Sequence, residues 1–564
     1  MPIDFHLGAA EASTRAAAAS FAENILKPAR AVYVEHSTQR ERFQATKPAY
    51  EAAVVGGLVK AQLAPKLGGS GGSLVDAAIL VEECYAVEPS AALTIFATGL
   101  GLTPFNLLQK PETKEFLEPF LSGTGSPLAS LVFSEPGGVA NWLEKGGKGL
   151  NTTARKEGDE WILNGEKIWA TNSAGWDYKG ADLACVVCRN VTNLPSGSQE
   201  AEPKDSIMIL LVTRADLDRN GPEAFQVFRD VGTMGHTSVS GPHIKYTNVR
   251  VPSKNVLCAP GEGAAIVNGA FDGSAVLVGA MGVGLMRAAF DAALAFAKGD
   301  DRGGAVPLLE RQAVADLLSD IKMQTEACRA LTWKAAHAME NGPGDYNARR
   351  ELALAAKVYC SDAAVKAVTD AIKAVGITAY DKNQPFAELL TNAMVLPIFD
   401  GGNVGIRRRH MQQLMMLPSY DAWAATTGVA VIHRIYPTGY HFWSDSVVTS
   451  GPERLLAQDH RQICGIGIPT AVKAEPLPGS TVAHTNGIWF HQSLAPRIYV
   501  SGSSLKAISK RFAEYFVGEI AHIKIAANSN NEWTELPDSY NFRSLIDHTD
   551  ADPDVAGNLA LPAT

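Results

Sequence analysis

One segment of the sequence combines a single carboxylate with glycine and arginine in an order that suits proton transfer. Residues 396–410 read LPIFDGGNVGIRRRH, so an apolar run leads into Asp400, and a glycine pair and a cationic stretch follow. The glycine pair breaks a helix here, which predicts Asp400 at a mobile joint facing whatever the apolar run lines. Burial raises a carboxyl pKa and a nearby guanidinium lowers it, and a carboxylate held ionised among apolar walls is a competent general base. The spacing alone is explained equally well by an N-capping aspartate and a solvated arginine face.

Two further segments place hydroxyls and backbone amides beside turns at strand edges. Residues 131–141 read LVFSEPGGVAN, and residues 164–172 read NGEKIWATN. Such groups can hydrogen-bond the edge of a flat heterocycle, and Trp169 can pack on its face. From composition alone, an ordinary β core with turns is the favoured interpretation.

Other motifs favour plain structural roles. The glycine run at residues 68–72 has no preceding strand and no following Lys-Ser/Thr, so a loop between helices is favoured over a phosphate loop. Cys185 and Cys188 have redox spacing within an apparent strand, where their side chains point to opposite faces, so they are interpreted as core thiols. The histidines have no metal-ligand spacing, and no metal site is predicted.

The pattern of apolar residues along the chain predicts which secondary-structure elements carry these segments. Helical periodicity comes first, short strand-like runs bounded by turn residues follow, and helical periodicity then returns. This order favours an α+β fold over an alternating βαβ fold. A polar insert, residues 193–205, is expected to be a surface loop. The predicted domains are an N-terminal helical domain, a middle β domain, a C-terminal helical bundle and a β-rich extension of unknown function, over residues 1–128, 129–255, 256–427 and 428–564.

The extension allows two interpretations. Trp443, Trp489 and Trp533 lie near the spacing of propeller blades. The matching pieces at 434–436 and 497–499 disagree with that period, so a β-rich appendage is favoured over a repeat. A lectin-like binding role for this extension, or no function at all, is left open.

Composition narrows the function classes. The 564 residues are 46% hydrophobic and 19% charged, with a formal charge of −9. An acidic balance is unsuited to the phosphate backbone, so no nucleic-acid partner is expected. No apolar run of the roughly 18 residues that cross a bilayer stands out, so no membrane partner is expected either. Seven dispersed cysteines suggest reduced thiols. Together with a start that lacks a secretory signal, this predicts a cytoplasmic protein, most simply an enzyme.

The strand-edge segments resemble the two flavin-binding segments of the acyl-CoA dehydrogenase superfamily. The resemblance covers about residues 5–425. Supporting matches are LAP at 63–65 with the glycine run, VP at 251–252 and GEG at 261–263. The superfamily carries a catalytic glutamate in a Tyr-Glu-Gly-Thr context, whereas this chain has Phe399-Asp400-Gly401-Gly402. An aspartate in place of the glutamate, one methylene shorter, is typical of the nitroalkane oxidase branch of the superfamily. Residues 172–188 also resemble the sequence of that branch.

The resemblance implies FAD, an acyl-CoA dehydrogenase-like fold with a four-helix bundle, and a homotetramer. The implied flavin contacts are Leu131, Val132, Phe133, Ser134, Val139, Ala140, Asn141, Trp169, Ala170 and Thr171. The implied contacts around a neighbouring subunit's FAD and beside the base are Arg302, Arg311, Gln312, Ala374, Val375, Gly376, Asp400, Gly401, Gly402, Asn403 and Val404. The chain departs from the superfamily at residues 303–306, which lack its Phe-Gly, and at Lys373, which replaces its glutamine.

The same resemblance implies a reaction. Asp400 is implied as the base, Arg407 as its cationic neighbour, and Ser274 as a hydroxyl near the carboxylate. The implied activity is FAD-dependent oxidation of neutral nitroalkanes by oxygen to aldehydes or ketones, with release of nitrite and hydrogen peroxide. The alternative is an acyl-CoA dehydrogenase or oxidase with an aspartate base.

Overall fold

The structure, a computed structural model, describes residues 7–194 and 202–427, together with the backbone of five short strands beyond them. Residues up to Pro418 form one compact unit, apart from Pro343–Ala348, which group with the residues after Pro418. Most of the polar insert and the segment holding Trp443 lie outside the described residues.

The first part of the chain is helical, as its periodicity predicts. A π turn at Ala22–Leu26 joins α1 to α2. Two of the following helices begin with capping boxes, in which Thr38 and Ser73 each bond reciprocally with an acidic residue three positions on. The helices are α1 (Ala9–Phe21), α2 (Lys27–Tyr33), α3 (Gln39–Ala45), α4 (Lys47–Val55), α5 (Leu74–Tyr85), α6 (Pro89–Leu108) and α7 (Glu118–Leu121). The glycine run at 68–72 is a loop leading into α5, as predicted.

The middle of the chain forms one mixed sheet. Its order is β6-β7-β3-β2-β4-β5-β8, with β1 pairing in parallel to β4. Helix α8 (Arg214–Asn220) follows β5. The strands are β1 (Ala129–Val132), β2 (Thr153–Glu157), β3 (Glu160–Lys167), β4 (Leu183–Asn190), β5 (Ile207–Thr213), β6 (Phe225–Arg229), β7 (His243–Pro252) and β8 (Val256–Cys258).

Helices return after β8. The 37-residue α9 packs on α5, α6, α10 and α12, so it links the N-terminal helices to the C-terminal ones. The helices are α9 (Gly263–Gly299), α10 (Gln312–Asn341), α11 (Tyr346–Val375), α12 (Phe386–Val395), α13 (Arg408–Met415) and α14 (Ala424–Thr427). The segment Asn403–Arg407, whose backbone is non-helical at Val404 and Gly405, leads into α13, and α13 carries the rest of the cationic stretch.

Two hydrophobic cores lie on opposite faces of the sheet. Cys185 belongs to the large core shared with the helices, and Cys188 belongs to the smaller core on the other face. Both thiols are fully buried and free. The interpretation of this pair as core thiols is confirmed, and burial raises the pKa of Cys188 to about 12.

The expectation that no segment is long and apolar enough to span a membrane was wrong. Helices α6 and α9 both meet that criterion by length and composition. Their most apolar windows are 56% and 67% buried inside the protein, which is typical of core helices in a folded domain. Counting apolar residues in a sequence does not separate a core helix from a membrane helix.

Beyond residue 427, five short strands pair into a sheet of their own. The order runs from the last strand back to the first, with one parallel pair and three antiparallel pairs. The strands are β9 (Val482–Thr485), β10 (Ile488–His491), β11 (Arg497–Val500), β12 (His522–Ala526) and β13 (Trp533–Glu535).

Candidate active site

The turn that carries Asp400 is tightly defined by its backbone. We call residues 396–403, which follow α12, the Asp400 loop. Asp400 has a φ of 51° and Gly401 a φ of 79°, so two successive residues occupy the left-handed region. The Asn403 amide donates to the Pro397 carbonyl at 2.8 Å and closes the loop. A non-glycine residue in this conformation is strained and persists only when its surroundings hold it.

The Asp400 carboxylate is half-buried and faces α9. The Ser274 hydroxyl, on α9, donates a hydrogen bond to Asp400 Oδ2. Tyr85, at the end of α5, is fully buried. Burial, and next the negative charge of Asp400, raise the pKa of Tyr85 well above its ordinary value. Ser274 was predicted from sequence, whereas no sequence signal pointed to Tyr85.

Arg407 contacts Asp400 through the main chain. Its Nε donates to the Asp400 carbonyl oxygen at 2.8 Å, and its Nη2 donates to the Phe271 carbonyl at 2.8 Å. Its charge is paired with Asp272 at 3.4 Å, and the side chain is only 2% exposed. Arg407 is therefore the cationic neighbour predicted from sequence, but it bonds the backbone of the turn and not the carboxylate.

Gly401 is required for this arrangement. A Cβ at this position would lie 2.8 Å from Arg407 Nε, and the φ of 79° disfavours any side chain. The arginine can reach the Asp400 carbonyl only because residue 401 has no side chain. The sequence pattern of aspartate followed by glycine thus has a direct geometric explanation.

A buried lysine on α11 holds the other side of the turn. Lys357 Nζ donates to the Gly401 carbonyl at 3.0 Å and to Asn403 Oδ1 at 2.7 Å. Burial, and next the charge of Arg407, lower the pKa of Lys357 to about 7, although Asp400 opposes this shift. No sequence pattern distinguishes Lys357, because a lysine in an alanine-rich helix is usually a solvent-facing residue.

A second feature of the site is a cleft of about 550 Å³ between the two strand-edge segments. We call it the flavin cleft because the flavin-binding segments implied by the resemblance border it. Its lining consists of residues 134–139, Ile168, Trp169, Arg229 and His243. Trp169 has a φ of 67° and leaves 54% of its surface exposed, so the indole is presented to the cleft. Arg229 and His243 were not predicted, because they lie on β6 and β7, far from either motif in sequence.

A buried ion pair joins the two segments that line the flavin cleft. Lys167 Nζ lies 2.9 Å from Glu135 Oε1 and donates to the Phe133 carbonyl, and the Ile168 amide donates to the Ser134 carbonyl at 3.0 Å. Burial would raise the Glu135 pKa, but Lys167 and two backbone amides outweigh it and hold that pKa below its ordinary value. Glu135 of the first motif and Lys167 of the second are therefore the residues whose side chains join the two segments.

The remaining residues predicted around the flavin are distributed along these strands. Leu131 and Val132 are buried in the two different cores, so only one of the two side chains faces the helices. The Thr171 carbonyl accepts from Ser130 Oγ at 2.7 Å, and the neighbouring Ala170 is buried. Val139 is half-buried at the cleft.

The flavin cleft and the Asp400 loop approach each other through side chains of adjoining elements. Phe133, after β1, lies 5.6 Å from Phe271 between ring centroids, three residues before Ser274. Arg409 of α13 donates to Asn141 Oδ1 at 2.7 Å and also to the Ala140 carbonyl. The structure thus brings two regions together that are more than 250 residues apart in the chain.

The residues predicted to reach a neighbouring subunit form a separate group. Arg302 donates to the Val375 carbonyl, next to the buried Ala374, and to Thr378 Oγ1 at 2.8 Å. Gly376 has a φ of 76°. Arg311 and Gln312 are exposed at the start of α10.

Two residues predicted beside the base differ in exposure. Val404, directly after the Asp400 loop, is 90% exposed, while Gly402 is half-buried within the loop.

Comparison with known proteins identifies the family. The models for the acyl-CoA dehydrogenase N-terminal and C-terminal domains match residues 9–124 and 261–416. The nitroalkane oxidase of Podospora anserina is 71% identical over 429 residues, which cover 76% of this chain and 99% of that protein. This chain belongs to the nitroalkane oxidase family. A second nitroalkane oxidase, from Fusarium oxysporum, is 48% identical over 77% of this chain and 99% of that protein.

Solved structures of nitroalkane oxidases agree with this assignment. The Podospora anserina enzyme matches with a TM-score of 0.74 and 70% identity, covering 76% of this chain and all of the other. A nitroalkane oxidase with an aspartate-to-asparagine active-site mutation, crystallised with 1-nitrooctane, matches with a TM-score of 0.74 and 48% identity over the same shares of the two chains. The predicted α+β, acyl-CoA dehydrogenase-like fold is confirmed.

A nitroalkane oxidase is a flavoprotein of the acyl-CoA dehydrogenase fold, so the predicted FAD is confirmed at the level of the family. The residues of this chain fit that cofactor. The flavin cleft presents the exposed face of Trp169, which suits a planar ring system. It also carries Arg229, whose guanidinium suits an anionic group, and His243 completes this part of the lining.

Proposed function

We propose that this protein oxidises neutral nitroalkanes to aldehydes or ketones and that Asp400 begins the reaction by abstracting the α-proton. Support comes from the relatives, whose structures include nitroalkane oxidase mutants crystallised with 1-nitrooctane and 1-nitrohexane. Those mutants replace an aspartate and a serine whose separation along their chain equals the 126 residues between Ser274 and Asp400. The proposed base therefore corresponds to a position already probed in a relative.

The observation that carries the proposal is the Asp400 carboxylate on the left-handed turn, half-buried and bonded by Ser274. The α-hydrogen of a nitroalkane is acidic because the nitro group delocalises the carbanion, so a placed base suffices to remove it. The Ser274 hydroxyl donates its hydrogen bond to Asp400 Oδ2. This bond fixes the orientation of the carboxylate and leaves Oδ1 to accept the proton. Tyr85 belongs to the hydrophobic core beside the site, and the partly buried Phe271 packs against that core.

Arg407 supports this step from behind the carboxylate. Its guanidinium is bonded to the Asp400 carbonyl and paired with Asp272, so the turn is held while positive charge lies within the site. That charge favours the anionic nitronate produced by proton removal.

FAD, when bound, supplies the two-electron acceptor through which oxygen is reduced to hydrogen peroxide, while the substrate loses nitrite and water supplies the carbonyl oxygen of the product. The residues of the flavin cleft are assigned to binding it. The proposed contacts are those that the sequence predicts, with Arg229 and His243 added from the structure.

The decisive experiment replaces the base. Asp400→Asn keeps the shape of the side chain and removes its ability to accept a proton, so kcat/KM with nitroethane should fall by about 100-fold or more. Flavin absorbance of the purified variant should be unchanged. Asp218→Asn, an exposed aspartate on α8, is the matched control. Undiminished nitrite release by Asp400→Asn would refute the base assignment.

The same assay separates the proposal from its rival. Flavin reduction by an acyl-CoA thioester, without nitrite release from nitroethane or 1-nitropropane, would indicate an acyl-CoA dehydrogenase or oxidase instead. Anaerobic bleaching of the flavin by a small nitroalkane, with one nitrite per flavin, is the expected result.

We also propose a cytoplasmic homotetramer. The family resemblance supports the tetramer, and the buried free thiols among the described residues are compatible with a reducing compartment. Sedimentation equilibrium of the full chain should give a mass near four times 59.9 kDa. Fractionation of the source cells tests the compartment.

A further inference from the structure

Lys357 is a charged side chain in the interior that touches the Asp400 loop and has no part in the steps proposed above. Its side chain is 0% exposed. Two acceptors of its amino group belong to the loop: the Gly401 carbonyl at 3.0 Å and Asn403 Oδ1 at 2.7 Å. The lysine therefore reaches from α11 to the Gly401–Gly402 peptide, one residue beyond Asp400.

The second acceptor is itself held by the same turn of α11. Asn403 Nδ2 donates to Ser361 Oγ at 2.9 Å and to Asp362 Oδ1 at 2.8 Å. Ser361 Oγ in turn donates to the Lys357 carbonyl at 2.6 Å. These bonds require the amide oxygen of Asn403 to face Lys357, so the lysine, the asparagine and the helix form one connected network.

Together, two cations hold consecutive carbonyl groups of the strained turn. Arg407 Nε takes the Asp400 carbonyl at 2.8 Å, and Lys357 takes the Gly401 carbonyl. Asp400 and Gly401, the two residues whose carbonyl groups are held, both have positive φ values. Rotation of either peptide group would break its bond to a buried basic side chain, and a buried polar group left without a partner is costly. The first of these peptide groups begins at the Asp400 Cα, so the direction of the Asp400 side chain is tied to it.

A buried lysine is an expensive way to stabilise a fold. Burial and the charge of Arg407 lower its pKa to about 7, while Asp400 and Asp362 act in the opposite direction. Well-packed apolar residues of similar volume commonly stabilise a protein as well as a buried ion does. The position of this charge, against the Asp400 loop, is therefore better explained by the geometry it imposes.

We propose that Lys357 is a positioning residue for proton abstraction, which fixes the Asp400 carboxylate by holding the Gly401 carbonyl and Asn403 against α11. The inference rests on the proposed role of Asp400. It assigns no contact between Lys357 and the substrate. Because positioning matters only while the base acts, the effect of losing Lys357 should depend on whether the substrate still carries its α-proton.

The test compares two forms of one substrate. Lys357→Met removes both hydrogen bonds while keeping an apolar stem, and kcat/KM is measured with neutral nitroethane and with its preformed anion, ethylnitronate. A displaced base should cost about 100-fold with the neutral form. The anion has already lost the proton, so its kcat/KM should remain within about twofold, since no base is needed. Flavin content and the flavin spectrum should match the unmodified protein.

Lys366→Met is the matched control, because Lys366 lies on the same helix and pairs with Asp370 at the surface. It should leave both values unchanged. Ser361→Ala provides a milder variant that keeps the lysine and weakens the hold on Asn403. It should lower kcat/KM for neutral nitroethane by about threefold, the effect of losing one modest hydrogen bond, without affecting the anion.

Three results would overturn the proposal. Equal losses with both substrate forms, or a loss of flavin, would make Lys357 purely structural, and unchanged values would make it irrelevant. If Lys357→Met does not fold, Ser361→Ala decides by the same comparison. Asp400→Asn measured in parallel separates the two hypotheses. If it retains activity with neutral nitroethane, the base assignment has failed, whereas a loss there with none in Lys357→Met rejects only the positioning role.

Discussion

The flavin cleft and the Asp400 loop are built by different kinds of contact. In the cleft, the strand-edge segments are 32 residues apart at the Glu135–Lys167 pair, and this ion pair and two hydrogen bonds to backbone carbonyls join them. The Asp400 loop instead takes its partners from Ser274 on α9, 126 residues before Asp400, and from Lys357 on α11, about 45 residues before the atoms it bonds. We therefore expect cofactor binding to depend mainly on the sheet, whereas the placement of the base depends on α9 and α11.

This difference has a consequence for mutations. Changes at the joint between the strand-edge segments should affect protein stability and flavin binding together. Changes around the Asp400 loop should affect proton abstraction while flavin stays bound. The comparison would fail if both kinds of change gave the same pattern.

The largest effect is expected at the ion pair of the flavin cleft. Lys167→Met leaves the buried Glu135 without its cation, and breaking a buried pair in this way typically costs about 3 to 5 kcal/mol. Urea unfolding of the full chain should therefore shift to lower concentration, and the purified protein should contain less flavin. Lys145→Met removes an exposed ion pair in the same part of the chain and serves as the control. A stable, flavin-replete Lys167→Met protein would contradict the described role of the pair.

An intermediate effect is expected at Gly401. Gly401→Ala would place a Cβ 2.8 Å from Arg407 Nε at a φ of 79°, so the turn must shift. A displacement of about 1 Å in a catalytic group can lower activity by about 100-fold. We expect that loss in kcat/KM with nitroethane, with normal flavin absorbance.

Gly402 supplies the comparison within the same loop. Its φ is −55°, and a Cβ there would meet no atom closer than 3.4 Å. Gly402→Ala should therefore retain most of the activity. Similar losses in both variants would indicate that the loop tolerates no side chain at all, independently of Arg407.

The smallest effect concerns acid stability near the site. His236 packs beside Tyr85 at 5.8 Å between ring centroids, and burial lowers its pKa to about 4 from 6.5. The folded state therefore disfavours the charged ring, so stability is full above pH 6.5 and falls as the pH decreases toward 4. The expected loss between pH 7.5 and 6 is about 1 kcal/mol.

His236→Asn should reduce that acid sensitivity, because asparagine does not titrate and tolerates the φ of 50° at this position. The measurement is urea unfolding of both proteins at the two pH values. It sharpens the comparison of the two regions, since activity lost at acid pH through unfolding is then distinguished from activity lost through protonation of the base. An equal slope in both proteins would exclude His236 as the cause.

Much of the fold could be predicted from sequence because its signals are local. The change from helical periodicity to short strand-like runs and back predicts helices, then strands, then helices. The spacing within β4 places Cys185 and Cys188 on opposite faces. The extent of burial was harder to judge. Helix α6 carries no charged residue, yet this reflects its place in the core, which only its neighbours in three dimensions reveal.

The residues of the candidate site also fall into two groups, those that the sequence predicts and those that only the structure reveals. Ser274, Asp400 and Arg407 were found through a resemblance of short motifs, and the structure places all three together. Lys357, Asp272 and Tyr85 escaped notice because each stands in an ordinary helical sequence. Their importance arises from contacts with residues 44 to more than 300 positions away.

By itself, the amino-acid sequence determined the order of the elements, the left-handed turn that glycine permits after Asp400, and the chemistry available at each motif. These properties depend on neighbouring residues and on backbone sterics. Only the tertiary structure decided that Arg407 binds a carbonyl and not a carboxylate, and that a lysine on α11 holds the following peptide. Such assignments require knowing which charges are buried together, and burial is a property of packing between distant segments.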